Sequence, residues 1–191
     1  AYTDQVMSLR PSVKWSEPER GRPRGALKDP LPDYEPKARL LAARIVGGDG
    51  LPTSHVSVDA EFDVEVDYEI LEDNAFVLPS MRFYAEDGQL VFTAVFSAPG
   101  VENWRRPLGR YRSRVHVPAH LLNLGLHRVS IGLNTPHGGG LMRHHVEENA
   151  LTFWIQEARV GEISASGPYP RVKGAVRPLF NWTHEMLDDL F

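Results

Sequence analysis

FDVEVDYEIL, residues 62–71, alternates apolar and acidic side chains from Phe62 through Ile70. Phe62, Val64, Val66, Tyr68 and Ile70 share one face of an extended chain, and Asp63, Glu65, Asp67 and Glu69 share the other. A helix would scatter the five apolar groups around its circumference. A period of two therefore predicts a strand with one face buried and one in water, and the chain reads as a sheet protein.

Working outward, the same pattern recurs. ARLLAARIV at residues 38–46 reads as a first strand, followed by a turn at Gly47, Gly48, Asp49 and Gly50. Residues 55–58 are a short second piece. After a loop closed by Pro79, residues 81–86 and 89–96 form a hairpin around Asp87-Gly88, a pair suited to positive φ. RYRSRVHV at 110–117 places Tyr111, Ser113, Val115 and Val117 inward and Arg110, Arg112, Arg114 and His116 outward. In residues 126–134, Val129, Ile131 and Leu133 oppose Arg128, Ser130 and Asn134. Gly138, Gly139 and Gly140 read as a flexible loop, and LTFWIQ at 151–156 as a strand with Thr152, Trp154 and Gln156 outward. Short strands separated by turn residues, without a long helical period, predict an all-β antiparallel sandwich of jelly-roll or immunoglobulin-like type.

The flanks differ. Residues 1–36 read as a proline-rich linker, because Pro11, Pro18, Pro23, Pro30, Pro32 and Pro36 interrupt any regular element. Trp15 and Tyr34 are apolar enough to dock that linker, either on the domain itself or on a missing partner domain. Residues 37–182 are expected to form the sandwich, with an irregular Gly- and Pro-rich end. Residues 183–191 suit a short amphipathic helix too short to be stable alone.

Composition narrows the function classes. At 191 residues, 42% hydrophobic and 24% charged, the chain is long enough for a core without metal or disulfide support. A formal net charge of -4 argues against a nucleic-acid partner. The absence of cysteine excludes thiolate catalysis and cysteine-ligated zinc and fits a reducing compartment. No apolar run suits a membrane span, and the N-terminus lacks the order of a signal peptide. Starting at Ala1 without methionine, the chain reads as a fragment of a longer protein.

Catalytic patterns are weak. His137, His144, His145 and Glu147 suggest a cupin-like metal site, but His144 and His145 are adjacent and would point to opposite faces of a strand. A loop position in solvent or at a turn is the competing reading. A G-x-S-x-G serine motif and a phosphate-binding loop are both missing, and no pattern identifies a pair of catalytic carboxylates.

Residues 38–182 resemble the C-terminal domain of the ATP-binding subunit of polysaccharide-exporting ABC transporters, the Wzt type that handles O-antigen chains. The resemblance rests on FDVEVDYEIL, RFYAEDGQLVF from Arg82, NWRRPLGRYRSRVHVPAHLLNLG from Asn103 and SGPYPRVKGAVRPLFNW from Ser166. It implies a jelly-roll β-sandwich that binds the exported glycan, pairs as a homodimer and catalyses nothing. It further implies that ATP and the transporter's membrane subunit meet a separate nucleotide-binding domain, with the whole cytoplasmic and peripheral to the inner membrane.

Sugar recognition needs flat aromatic faces and planar polar groups. The outward positions hold such a set: Arg82, Tyr84, Trp104, Arg112, Arg114, His116, Arg128, Asn134, Trp154 and Gln156. Each also has a structural reading. Trp154 is either a sugar platform or is covered by the linker, the tail or a second subunit, and Trp182 reads as a packing anchor. The arginines are either glycan ligands or partners of the acidic stripe in cross-strand pairs. The alternative functions are a dimerisation and coupling module without a sugar site, and a cupin-like metal enzyme.

Overall fold

The computed structural model describes residues 8–16, 35–96, 100, 104–157, 173–178 and 182. Nine strands lie within them: β1 (Ser12–Lys14), β2 (Ala38–Val46), β3 (His55–Ser57), β4 (Phe62–Ile70), β5 (Leu78–Tyr84), β6 (Leu90–Val95), β7 (Gly109–Val117), β8 (Gly125–His137) and β9 (Gly140–Gln156). They form a four-stranded sheet in the order β1-β2-β4-β7 and a five-stranded sheet in the order β3-β9-β8-β5-β6. All pairings are antiparallel except β3 with β9, which is parallel. No described residue is helical.

The alternation in β4 is realised as expected. Phe62, Val64, Val66, Tyr68 and Ile70 are buried between the sheets, where Phe62 meets Phe153 of β9 at 5.3 Å between ring centroids. Met81, Phe83, Val129, Ile131, Leu133, Leu151 and Phe153 supply the opposing layer. Each such side chain contributes about 1.5–3 kcal/mol on removal from water, so this shared core dominates stability.

Four local expectations change. Pro79 lies within β5, opposite Leu133, rather than in a preceding loop. Gly138 and Gly139 form a tight two-residue hairpin turn, not a flexible loop: their φ values of 55° and 81° suit the twist of the flanking strands. β9 consequently begins at Gly140 and runs for 17 residues, well before the expected start at Leu151. Finally, part of the expected linker is strand. Val13 of β1 pairs with Ala43, the Ile45 amide donates to the Pro11 carbonyl at 2.8 Å, and Arg10 and Thr152 exchange backbone bonds at 3.0 and 2.9 Å. The segment thus ties the two sheets together along one edge. Trp15 packs against the core beside His145, as a local dock.

The described part of the tail joins the β7–β8 connection: the Arg177 amide donates to the Leu121 carbonyl at 3.0 Å. Trp182 is largely exposed, so its expected role as a packing anchor is not realised. Tyr34, Asn103 and the expected helix at residues 183–191 lie outside the described residues.

Candidate functional site: a groove on the five-stranded sheet

The outer face of the five-stranded sheet carries a groove of about 160 Å³. Register builds it. Ser80 of β5 lies between Val95 of β6 and Gly132 of β8, Gly132 faces Val146 of β9, and Asn134 faces Arg143. Arg82, Thr93, Leu78, Pro136 and Leu141 complete the lining. Outward residues at a period of two on four neighbouring strands converge on one patch, although they are scattered through the sequence.

The floor is polar and tight. Asn134 donates from Nδ2 to Ser80 Oγ at 2.9 Å. A Cβ on Gly132 would lie 3.1 Å from Asn134 Nδ2 and 3.2 Å from Ser80 Oγ, so glycine is what lets these two groups meet. Arg82 pairs with Glu148 at 2.6 Å. Burial raises the Glu148 pKa, but hydrogen bonds from Ser130 and Arg82 and the charges of Arg82 and Arg143 outweigh it and hold the carboxyl below its usual range. The groove therefore presents cations and neutral polar groups beside the apolar side chains of Leu78, Val95 and Leu141. This is a surface that can match both the hydroxyls and the C–H patches of a polar ligand.

Of the ten expected site residues, Arg82 and Asn134 line this groove. Tyr84, Arg128, Trp154 and Gln156 share its face but sit toward the other end. Tyr84 pairs with Arg128, Arg128 with Thr152, and Trp154 with Leu126 and His55. Trp154 is eight positions beyond Val146 along β9, up to roughly 25 Å away. Arg128 donates to the Ala85 and Glu86 carbonyls at 3.2 Å each, bracing the β5–β6 turn. No aromatic ring among the described residues lines the groove itself.

Trp104 belongs to a third place. It stacks on Phe96 at 4.3 Å, with the Arg106 guanidinium 4.8 Å from its ring centre. Arg106 also lies over Tyr111 and Tyr68, and its partial burial pushes its pKa down.

Arg112, Arg114 and His116 lie on the opposite side of the molecule, on the outer face of the four-stranded sheet. There each stands directly across from a β4 acid: Arg112 from Asp67, Arg114 from Glu65 and His116 from Asp63. Arg112 donates to Asp67 at 2.6 and 3.0 Å. Glu65 accepts from Arg44 of β2 at 2.6 Å and from Arg114. Burial raises the Glu65 pKa, but the hydrogen bonds of Arg44 and Arg114 and the charges of Arg44 and Arg112 more than reverse it. The hydrogen bond from Arg112 does the same for Asp67. The cross-strand reading of the arginine stripe is the one this geometry displays.

His144 and His145 are buried in β9 rather than placed in a loop or in solvent, whereas His137 ends β8 exposed beside the Gly138-Gly139 turn, as the competing reading expected. A register irregularity in β9 between Arg143 and His145 makes His144 the extra residue of a bulge. Bulging cancels the alternation, so both rings turn inward. Nδ1 of His144 accepts the Lys37 amide at 3.2 Å, and Nδ1 of His145 accepts the Leu40 amide at 3.1 Å. Their Nε2 atoms meet Thr135 Oγ1 at 2.8 Å and Glu147 Oε1 at 3.1 Å. Among the described residues no group of three or more His, Asp or Glu side chains is placed to hold a metal ion.

Sequence reasoning missed Ser80, Thr93, Gly132, Leu141 and Arg143. Gly132 carried a usable signal, because glycine inside an alternating strand indicates close approach.

Fold and groove together define a two-sheet β-sandwich with a largely apolar recess, flanked by a few polar side chains, on one outer face. Among solved structures, the crystal structure of the C-terminal domain of Wzt shares this fold, with a TM-score of 0.61 and 13% sequence identity over 86% of this chain and 93% of that one. No family model and no curated protein sequence matches the chain. No helix among the described residues is long and apolar enough to cross a membrane.

Proposed function

We propose that this domain is a non-catalytic glycan-recognition module of a polysaccharide exporter of the ABC type, acting beside a separate ATP-binding domain. The observation that carries the reading is the groove, in which planar polar side chains (Arg82, Asn134, Arg143) and the hydroxyls of Ser80 and Thr93 flank apolar surface. The shared fold with the Wzt C-terminal domain supports the exporter setting. By holding the end of a chain there, the module would raise its effective concentration at the export channel. The same reading includes a homodimer on the cytoplasmic side of the inner membrane, without a cofactor or nucleic acid in this chain.

Titrating O-antigen fragments against the full 191-residue chain tests the proposal. Asn134→Ala and Arg143→Ala each weaken binding at least about tenfold, the worth of one good charged or paired hydrogen bond. Trp154→Ala separates the two ends of the face: a loss there extends the site to Trp154, and unchanged affinity confines it to the groove. Full affinity in both groove variants would remove the groove from recognition.

A further inference from the structure

β7 is the last strand of its sheet and is unusually regular for such a position. Its nine residues pair one to one with β4, from Gly109 opposite Ile70 to Val117 opposite Phe62, without a register shift. Every second residue of an antiparallel strand turns its N–H and C=O away from that neighbour. Among the described residues nothing pairs with them. The strand has no proline or bulge, and among the described residues no element covers it, so none of these usual ways of blunting an edge is seen there.

Its side chains decide what can pair there. On the outer face the columns alternate in sign from strand to strand: Arg39 and Arg44 on β2, Asp63, Glu65, Asp67 and Glu69 on β4, then Arg110, Arg112 and Arg114 on β7. The β7 arginines keep 53–69% of their side chains exposed despite their pairs with β4. On the inner face Tyr111, Ser113 and Val115 are only half-buried. A second copy is a poor occupant: antiparallel self-pairing about Ser113 would set Arg112 against Arg114, like charges directly opposite. An extended segment that alternates acidic and apolar residues satisfies both faces at once, continuing the charge alternation outside and covering the half-buried row inside.

We propose that the free edge of β7 docks an extended, acidic–apolar alternating segment of a protein partner by strand addition. The inference is independent of the glycan reading, since groove and edge lie on different sheets. The chain's own β4 supplies a probe of the right chemistry: a synthetic peptide FDVEVDYEI, with a scrambled peptide of equal composition and poly-glutamate as comparisons. Titration of the labelled β4 peptide into the full chain gives saturable binding. That binding weakens roughly tenfold between ~0.05 M and ~0.5 M salt, because the contacts are exposed and charged. Hydrogen exchange then shows new protection in Gly109–Val117. Arg110→Gln combined with Arg112→Gln weakens binding at least about tenfold, while Glu65, still held by Arg44 and Arg114, keeps the fold intact. Leu51→Lys, at an exposed loop position away from both β7 and the groove, leaves binding unchanged. Equal binding of the scrambled peptide or of poly-glutamate, protection confined to other strands, or no binding at all would each overturn the proposal.

Discussion

His144 is the residue with the most to lose on acidification. Its ring is buried, Nδ1 accepts a backbone amide from the segment entering β2, and burial together with the nearby Lys37 charge lowers its pKa to about 4, against a smaller opposing effect of Glu72. In the unfolded chain the same ring titrates near the ordinary 6.5. Between these values the unfolded state binds the extra proton and the folded state does not, so stability is full above pH ~6.5 and falls as pH drops toward ~4. A shift of this size corresponds to roughly 3 kcal/mol. His127, stacked on Phe153 and also lowered by burial, adds to the same trend. His144→Gln keeps an acceptor for the Lys37 amide without a titration. Its urea-unfolding free energy should therefore show a clearly shallower slope between pH ~6.5 and ~4.5 than the wild type. An unchanged slope would mean that the ring is not buried neutral.

Among the elements, β4 and β7 carry a charge ladder whose rungs differ in worth. Glu65 is 4% exposed and shared by Arg44 and Arg114, whereas Arg110 is mostly exposed and sits 3.6 Å from Glu69. Removing one partner from a buried ion cluster leaves the others uncompensated, so Glu65→Gln should cost about 3 kcal/mol. Arg110→Ala should cost at most about 0.5 kcal/mol and less in high salt. Chemical denaturation of both variants at low and high ionic strength checks the contrast. Both strands were legible in the sequence because each buries only one face, so polarity alternates without interruption. β8 and β9 were not. Both faces of β8 are largely buried, with Ser130 and Asn134 as covered as Val129, and the two irregularities in β9 reset its alternation. Bulges are a matter of strand pairing, and a lone sequence carries little trace of them.

At the scale of the whole molecule, register assembles the groove. Ser80, Thr93, Asn134 and Arg143 become neighbours only once four strands align, which is why periodicity could name Asn134 as outward but could not find the three residues grouped with it. Two of the four edge strands among the described residues are unlike in charge. β7 ends one sheet with a row of cations; β6 ends the other with six uncharged residues, Leu90 and Val95 well exposed, and leads to the exposed Trp104 stacked on Phe96. An uncharged edge has no electrostatic bar to meeting its own copy, so the homodimer included in the functional proposal should form through β6 rather than β7. Antiparallel pairing about Thr93 would place the two Thr93 Cα atoms about 4.5–5.5 Å apart, within disulfide range. It would also bring the β6 sides of two grooves together, since Thr93 and Val95 line them. Because the chain contains no cysteine, Thr93→Cys creates a single thiol. Mild oxidation should cross-link it into a dimer on a non-reducing gel, whereas Arg112→Cys on β7 should stay monomeric under the same treatment. Sedimentation of the wild type at dimer mass without a Thr93→Cys cross-link would place the contact on another surface and leave each groove bounded by its own β6.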